Sequence, residues 1–475
     1  MSSSLKILGR DLDSPAAFRM VKRGELRKLF SKVYTTDLES DPEALVMTFR
    51  YELLSFFCKG CVFSHRTAFK MHSGERTIFL SGPKARTFTW PGLTVKVLAG
   101  PGNHDNDMSF KGLYISSPAR ALLENLQVSK TINGINKCIS REEIETELDG
   151  DLDAKGEDYL KKIKGEAGQI AKTFGWESEY SRLSNLIGAL LQTRDAVFLK
   201  SKKAKARAMG LPYDESRVRL FQSLFDYLRS NRLPYIRSQA DPENVFSFME
   251  AYFSNYIEGT TFNIDEAESI VFDKLVIPNR EDDSHDIIGT FNIVSNADEM
   301  SIIPESFDQL INILQRRHKV LMSSRPTKLP GEFKVKPNQA GNTKFVAPGL
   351  VDGTLRQGFE FYEGLPYGFA RAAYMMFLIS EVHPFADGNG RIARIMMNAE
   401  LEREGEQKII IWNSYRGDYL RNLKGLTRNG QCEGYVKMLG FAQEFSGKIP
   451  LSSTSDAEVH LVSNKAFDED EDYAL

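Results

Sequence analysis

Twelve consecutive residues constrain this chain more than any others, and they read His383-Pro384-Phe385-Ala386-Asp387-Gly388-Asn389-Gly390-Arg391-Ile392-Ala393-Arg394. Apolar residues at helical spacing precede this stretch, and a second series with the same spacing begins at Ile392. The proline ends the first helix, because the residue before a proline is driven out of the α-helical region. The pattern therefore predicts two helices, over 368–382 and 391–404, joined by a glycine-rich turn.

The predicted turn has the composition of an anion-binding loop. Gly388, Asn389 and Gly390 permit left-handed backbone angles, and successive amides in such a turn can converge on an anion. The helix that follows adds the positive end of its dipole. Arg391 and Arg394 lie one helical turn apart and suit multidentate contacts with phosphate. The stretch is thus predicted to hold the phosphates of a nucleotide.

Two further side chains in the stretch are suited to catalysis. Asp387 offers a hard oxygen to Mg²⁺, which prefers one or two carboxylates together with phosphate oxygens. His383 titrates near neutrality and suits the removal of a proton from a hydroxyl. The alternative is a histidine that only marks the end of a helix, and it leaves eight specified residues within twelve positions unexplained.

These eight residues match the full signature of the Fic (filamentation-induced-by-cAMP) domain, which the chain resembles over about 221–445. The resemblance implies a mainly α fold, with an all-helical core and a β-hairpin flap. It also implies transfer of AMP from ATP to a Ser, Thr or Tyr hydroxyl of a protein. In that chemistry His383 would be the general base, Asp387 would hold Mg²⁺, and Arg394 would bind the γ-phosphate. The turn formed by Gly388, Asn389 and Gly390 would bind the other phosphates, with Arg391 stabilising their charge.

Two more segments are similar to parts of this family. Alternating residues predict a hairpin with strands over 332–336 and 343–346, similar to the flap that positions the target. The resemblance assigns this positioning to Gly331, Phe333, Lys334, Phe345 and Val346. Arg416-Gly417-Asp418-Tyr419-Leu420 resembles the helix beside the nucleotide base, which makes Tyr419 a candidate ATP contact.

A short segment, Ser254-Asn255-Tyr256-Ile257-Glu258-Gly259, matches the inhibitory pattern of the same family. A helix is predicted over about 245–259, with Ser254 and Glu258 on one face at a spacing of four residues. A carboxylate that reaches Arg394 would occupy the arginine that the γ-phosphate needs. The alternative is an ordinary glutamate at the end of a helix.

Residues 1–130 are predicted to form an α+β domain whose order of helix, turn, helix and short strands suits a winged-helix module. The run from Arg23 to Tyr34 is similar to the start of the AbiEi-like type IV antitoxin family. The resemblance implies DNA binding, with Arg23, Arg27, Lys28 and Lys32 as candidate phosphate contacts. The alternative is a solvated basic rim.

The remaining organisation follows from composition. The acidic stretch 148–156 is taken as a linker, 150–220 as a helical connector, 221–447 as the Fic domain and 451–475 as a disordered acidic tail. A net charge of −3 excludes nucleic-acid binding by overall charge, and four cysteines do not make a disulfide scaffold. Without a signal sequence or an apolar run of membrane length, the expectation is a cytoplasmic protein with no membrane partner.

Several alternatives stay open from the sequence. The chain is predicted to be an autoinhibited adenylyltransferase that uses ATP and Mg²⁺ on a protein target, with itself, DNA and a homodimer as further candidate partners. The other interpretations are a DNA-binding regulator whose Fic half senses nucleotide, a toxin-antitoxin-like fusion, and transfer of UMP, phosphate or phosphocholine. Cys58 and Cys61, with His65 and His72, are either buried structural residues or a zinc site.

Overall fold

Helices dominate both units into which the chain divides, residues 1–210 and 211–475. The computed structural model describes residues 5–69, 76–129, 135–241 and 243–468. The predicted mainly α fold is confirmed, and an α+β region is present at the N-terminal end. None of the helices in these described ranges is long and apolar enough to cross a membrane.

The first unit begins with mixed structure. In chain order its elements are β1 (Leu5–Ile7), α1 (Ser14–Lys22), β2 (Arg27–Phe30), β3 (Val33–Thr35), α2 (Pro42–Phe57), β4 (Val62–Phe63), α3 (His65–Phe69), β5 (Thr77–Gly82), β6 (Arg86–Trp90), β7 (Leu93–Ala99), β8 (Met108–Phe110) and β9 (Leu113–Ile115). A three-stranded sheet has the order β1-β3-β2, and a six-stranded sheet has the order β6-β7-β5-β4-β9-β8. The predicted helices and strands of this region are present, whereas its winged-helix assignment stays a prediction.

The larger sheet is mixed, with β5–β7 and β4–β9 parallel and its other pairs antiparallel. Burial alternates along β7, where Leu93, Val95 and Val97 are buried and the residues between them are half exposed. This alternation of period two is what a strand with one covered face requires, whereas in β5 the residues from Ile78 to Gly82 are all buried. The covered face packs on α2, whose Val46, Leu53 and Leu54 belong to the same apolar core.

Helices complete the first unit: α4 (Pro118–Asn125), α5 (Arg141–Lys155), α6 (Glu157–Phe174), α7 (Glu177–Leu190) and α8 (Lys202–Ala208). The predicted linker at 148–156 is wrong, because α5 continues through it to Lys155. Leu148 is buried, and the buried Asp149 pairs with Lys203 at 2.8 Å and also with Arg207. Acidic residues here therefore bind basic partners on α8 and do not mark a free linker. The predicted connector also shares one apolar core with α4.

The second unit is built from helices and one small hairpin. Its elements are α9 (Glu215–Ser230), α10 (Val245–Tyr256), α11 (Ile264–Phe272), α12 (Glu281–Val294), α13 (Ala297–Met300), α14 (Phe307–Leu321), β10 (Gln339–Ala340), β11 (Thr343–Lys344), α15 (Val351–Glu363), α16 (Phe369–Val382), α17 (Asn389–Arg403), α18 (Arg416–Asn429), α19 (Cys432–Ser446) and α20 (Thr454–Ser463). The two helices predicted around the central motif are confirmed as α16 and α17.

Helix α16 lies at the centre of this unit, and all of its 14 residues are buried. Its apolar residues surround the whole helix, as expected for a helix without a solvent face. Helix α17 packs along it and buries Ile392, Ile395 and Met396 on the shared core. The motif loop between the two helices is therefore held at both ends by core packing.

Two predictions about the second unit are corrected. The flap is a hairpin, but its strands are Gln339–Ala340 and Thr343–Lys344, and residues 332–336 form no strand. Lys334 in this segment is buried, and its backbone N–H donates to the Pro384 carbonyl of the motif loop. The segment therefore packs against the core and forms no part of a sheet.

The predicted disordered tail is likewise wrong for residues 451–468. Helix α20 buries Ala457 and Leu461, and Phe467 stacks on Phe253 with ring centroids 5.3 Å apart. These apolar residues hold the segment on the core. A prediction based only on the content of Ser and acidic residues does not take such contacts into account. Residues 469–475, with most of the acidic run, lie outside the described residues.

Candidate functional site

The motif loop is fixed by its own side chains. His383 ends α16 in a left-handed conformation (φ 52°, ψ 58°), which is uncommon for a residue other than glycine and is needed here for the sharp exit before Pro384. The amide of Asn389 closes the loop, since its Oδ1 accepts from the Phe385 N–H at 2.8 Å and its Nδ2 donates to the Phe385 carbonyl at 2.9 Å. The Asn389 side chain therefore shapes the loop, and only its backbone remains for a phosphate.

The imidazole of His383 is held in one tautomer. Its Nδ1 donates to the Ser380 carbonyl at 3.2 Å, so the neutral ring keeps its lone pair on Nε2. Phe345 of the flap stacks on the ring, with centroids 3.6 Å apart and planes 3° apart. Burial lowers the pKa of His383 to about 4, with the bond to Ser380 opposing and the charge of Lys334 assisting. The ring is thus neutral near pH 7 and able to accept a proton.

The predicted glycine-rich turn lies at the start of α17, and anion binding by it stays a prediction. Gly388 has φ 72°, and a Cβ there would lie 3.0 Å from the Met322 sulfur, so both conformation and space favour glycine. The amides of Asn389 and Gly390 begin α17 and have no carbonyl one turn earlier within the helix. Such amides, with the helix dipole behind them, form an anion site.

Asp387 lies beside this turn and is suited to a hard cation. Its Oδ1 accepts from the Gly388 N–H at 2.7 Å, and its Oδ2 lies 3.0 Å from Nζ of Lys328. Burial raises the pKa of Asp387, but Lys328 and the Gly388 amide outweigh this and hold it below its usual value. In the described part of the chain no group of three or more His, Cys, Asp or Glu side chains forms a metal cluster. One charged carboxylate fits Mg²⁺ when phosphates and water supply the other ligands.

The predicted contact between Glu258 and Arg394 is present. Nη2 of Arg394 donates to Oε1 of Glu258 at 2.7 Å and to the Ser254 carbonyl at 2.8 Å, and its Nε donates to Ser254 Oγ at 3.0 Å. Burial raises the pKa of Glu258, but Arg394 outweighs it and holds the pKa below its usual value. A Cβ on Gly390 would collide with Oε1 of Glu258, so the carboxylate rests directly on the turn 388–390.

One detail of this segment differs from the prediction. Helix α10 ends at Tyr256, and Glu258 lies in the turn that follows, where its N–H bonds to the Asn255 carbonyl at 3.0 Å. Gly259, at φ 99°, completes the turn. Ser254 and Glu258 therefore do not share a helix face, and they reach Arg394 from a helix and from a turn.

Arg391 occupies a different environment from the one expected. Its Nη1 lies 2.7 Å from Oδ2 of Asp286 on α12 and 3.2 Å from Oδ1 of Asn255 on α10, and all three residues are buried. These contacts hold α17 to α10 and α12. Arg391 is not among the residues that line the motif cavity, so this arrangement does not support phosphate binding by its side chain.

The candidate flap residues are divided between core and cavity. Nζ of Lys334 bonds to Asn338 Oδ1 at 2.7 Å and to the Val382 carbonyl at 3.3 Å, and burial lowers its pKa to about 8. Phe333 packs against Phe385, and Val346 is fully buried. Phe345 alone of the five predicted flap residues lines the cavity. Target positioning by these residues stays a prediction.

His318 is a site residue that the sequence did not reveal. Its Nε2 donates to the Asp387 carbonyl at 3.1 Å, its Nδ1 accepts from the Gly331 N–H at 2.9 Å, and its ring stacks on Phe385 at 3.7 Å. Burial lowers the pKa of His318 to about 4, so it remains neutral and keeps both bonds. A histidine within a helical pattern carries no motif, which is why only the structure connects it to the start of the flap.

The motif loop, the turn with Glu258 and the hairpin enclose a cavity of about 240 Å³. Its lining includes His383, Asp387, the turn 388–390, Glu258 and Arg394. The remaining lining residues are Ile257, Ala340, Thr343, Phe345, Ser380, Glu381, Arg416, Tyr419, Leu420, Leu423, Lys424 and Thr427. A lining with charged groups and apolar side chains suits a ligand with a charged part and a flat part, as in a nucleotide.

The candidate residues of the first unit are also located. Lys28 and Lys32 are exposed on the β2–β3 hairpin, Arg23 pairs with Glu25 at 3.3 Å, and Arg27 donates to the backbone of Asp37 and Ser40. Arg27 is therefore engaged within the chain, and DNA contact by these residues stays a prediction.

The cysteine pair of the same unit lies within its core. Cys58 and Cys61 are buried, and burial raises the pKa of both thiols. The ring of His65 bonds to Ser64 and Gln127, while His72 lies outside the described residues.

Comparison with known families gives a result that agrees with this geometry. Residues 308–401, from α14 through the motif into α17, match the family model described as Fic/DOC family. These residues are thus similar to the domain of that family. The match includes His318 and the hairpin, while the segment 254–259 lies before it.

Similar proteins carry the same family name. A protein named Protein adenylyltransferase Fic from Drosophila mojavensis is 28% identical over 217 residues, 44% of this chain and 42% of that protein. The protein of that name from Drosophila persimilis is 29% identical over 215 residues, 44% of this chain and 42% of that protein. The match thus spans less than half of these relatives.

Among solved structures, Fic-1 (residues 134–508) from C. elegans has a TM-score of 0.35 and 16% identity, covering 68% of this chain and 97% of that one. A Fic domain containing signaling protein from Bacteroides thetaiotaomicron has a TM-score of 0.38 and 18% identity, covering 51% of this chain and 97% of that one.

Proposed function

We propose that this chain is an autoinhibited protein adenylyltransferase, which transfers AMP from ATP to a hydroxyl side chain of a protein target. The observation that carries the proposal is a single cavity lined by a proton acceptor, an anion-binding turn, a carboxylate and a buried arginine. The names of the Drosophila relatives support the adenylyl group over the alternatives.

The reaction needs a base close to the attacking hydroxyl. The hydroxyl oxygen attacks the α-phosphorus of ATP, its proton passes to Nε2 of His383, and the bond from the α-phosphorus to the bridging β-oxygen breaks, so that pyrophosphate leaves. The Nδ1 bond to Ser380 and the stacked Phe345 orient the ring for this step. The new positive charge on His383 is then stabilised by the phosphates and by Asp387, whose charge raises the pKa of His383.

The phosphates are held by groups that are already in position. The amides of Asn389 and Gly390 face an anion without rearrangement, and this preorganisation is a main source of rate in phosphoryl chemistry. Mg²⁺ bound at Asp387 would neutralise phosphate charge. Arg394 would hold the γ-phosphate once Glu258 leaves it, since its guanidinium is buried beside the turn.

The inhibition in this proposal is competition for one guanidinium. Glu258 holds Nη2 of Arg394 and lies against Gly390, so a γ-phosphate and this carboxylate cannot occupy the same position. The negative charges of the Glu258 carboxylate and the γ-phosphate would also repel each other strongly, because the site is partly buried. ATP would therefore bind weakly or with its α-phosphate misaligned until Glu258 moves.

The test is labelling with α-³²P-ATP and Mg²⁺, with a total cell lysate as the source of targets. The comparison includes the parent chain, Glu258→Gly, Glu258→Gly/His383→Ala and Glu305→Gly, an exposed loop glutamate used as the charge control. We expect Glu258→Gly to raise labelling at least about tenfold, since each 1.4 kcal/mol released is a factor of ten. Equal labelling of parent and Glu258→Gly would contradict the inhibition, and label that survives His383→Ala would contradict the base.

A further inference from the structure

Asp387 is not free in this structure, because a lysine outside the motif is bonded to it. Nζ of Lys328 lies 3.0 Å from Oδ2 of Asp387, and the two side chains are 40% and 39% exposed. The other carboxylate oxygen accepts from the Gly388 amide. Oδ2, the carboxylate oxygen best suited to a metal cation, thus already contacts a cation, the ammonium group of Lys328.

The backbone that carries Lys328 is anchored on both sides. Arg325 lies 2.9 Å from Asp286 and donates to Asp283 at 3.4 Å, while Gly331 is bonded to His318. Between these anchors a 3₁₀ turn, 326–328, presents the lysine, and Leu329 follows in a left-handed conformation (φ 56°). The segment stays in place, so the part that can move is the long, half-exposed side chain of Lys328.

An ammonium and a divalent cation compete for such an oxygen. The carboxylate can bond to both only if two positive centres lie within a few ångströms of each other, which Coulomb repulsion opposes. Because the pair is partly exposed, its contribution is modest, up to about fivefold in an equilibrium constant. A lysine here therefore weakens metal binding without preventing it.

We propose that Lys328 is a tethered cation that occupies Asp387 in the nucleotide-free protein and has to leave Oδ2 before a divalent metal coordinates there. This inference rests on the proposed function, in which Asp387 binds the metal of a metal–ATP complex. The site then has two internal ion pairs, one for each part of that ligand. Glu258 stands where phosphate binds, and Lys328 stands where the metal binds.

The test measures how strongly Mg²⁺ promotes nucleotide binding. Dissociation constants for the α,β-methylene analogue of ATP, which is not cleaved at that bond, are determined by calorimetry with and without Mg²⁺, and their ratio is the metal effect. All variants are made in the Glu258→Gly chain: Lys328→Met, Lys328→Arg, Asp387→Asn and Lys336→Met. Lys336 is an exposed lysine of the following segment and controls for the change in net charge.

We expect Lys328→Met to increase the metal effect about three- to fivefold, because its carboxylate partner becomes free. Lys328→Arg and Lys336→Met should leave the metal effect near that of Glu258→Gly, and Asp387→Asn should reduce it. Thermal melting of each variant checks that it is folded.

The outcomes separate the inference from the proposed function. An unchanged or smaller metal effect in Lys328→Met, together with a reduced effect in Asp387→Asn, overturns the inference and leaves the metal site standing. If Asp387→Asn leaves the metal effect unchanged, Asp387 does not bind the metal as the proposed function requires, and the inference fails as well.

Discussion

Arg391 and Arg394 lie one turn apart on α17, yet they belong to two different regions of the molecule. Arg391 is bonded to buried Asp286 and Asn255 and joins three helices. Arg394 faces the cavity, and its partners are Ser254 at the end of α10 and Glu258 in the turn that follows. The sequence motif specifies both arginines and does not distinguish them. In the structure they have different counter-ions, and we infer that the counter-ion decides which arginine can exchange its partner for a ligand.

The largest effect is expected when the cavity arginine is changed. In the Glu258→Gly chain, Arg394→Met should reduce labelling from α-³²P-ATP about 10²- to 10³-fold, since it removes a charged donor aimed at the phosphates. Label incorporation over time measures this. If Arg394→Met keeps more than a tenth of the labelling, the assignment of this region to phosphate binding is wrong.

The same substitution at the other arginine should act on stability. Arg391→Met leaves the buried carboxylate of Asp286 with Arg325 as its remaining charged partner. An uncompensated buried charge costs about 3–5 kcal/mol, and Arg325 keeps the loss here below that figure. We expect a clearly lower thermal midpoint for Arg391→Met than for Arg394→Met, measured by circular dichroism. Equal midpoints with equal losses of labelling would mean that the two arginines share one role.

A smaller effect is expected from the hydroxyl that helps to hold Arg394. Ser254→Ala removes the bond to Nε and keeps the carbonyl bond and Glu258. A hydrogen bond to a charged group contributes about 1.5–3 kcal/mol, and part of that is recovered from the remaining partners. Labelling by the Ser254→Ala chain should therefore rise only a few-fold and stay well below that of Glu258→Gly. A rise equal to that of Glu258→Gly would make Ser254 the principal restraint.

The smallest expected effect concerns pH. The pKa of Glu258 is held below its usual value, so its ion pair with Arg394 persists above that value and is lost only as the pH falls through the lowered pKa. Labelling by the parent chain should thus stay low from pH 7 to 5. Glu258→Gly is the control at each pH, since a pKa of about 4 keeps His383 neutral in this range. Labelling by the parent that rises towards pH 5 would contradict a charged Glu258.

What the sequence could predict depends on whether an interaction is local. The loop at 383–394, its two helices and the left-handed conformation of Gly388 follow from residue types at fixed spacing, and they are confirmed. The pairing of Glu258 with Arg394 was also predicted, because a known pattern supplied it. Asp286, His318 and Lys328 were missed, because each acts on the motif from a distant segment whose sequence has no distinctive pattern.

The two incorrect predictions, a linker at 148–156 and a disordered segment after 451, have a related cause. The acidic stretch 148–156 and the segment after 451 have the composition of linkers and tails. Lys203 and Arg207 neutralise the first, and Leu461 and Phe467 find apolar partners in the second. Composition does not show whether such partners exist elsewhere in the fold.

Helix α16 carries His383 at its end and has no exposed residue. A substitution anywhere along it disturbs packing on every side, so its sequence has little room to vary. The turn with Glu258 and the segment with Lys328 lie at the surface and accept changes far more easily. The contacts of Glu258 and Lys328 can therefore be altered without disturbing the packing that holds His383 in place.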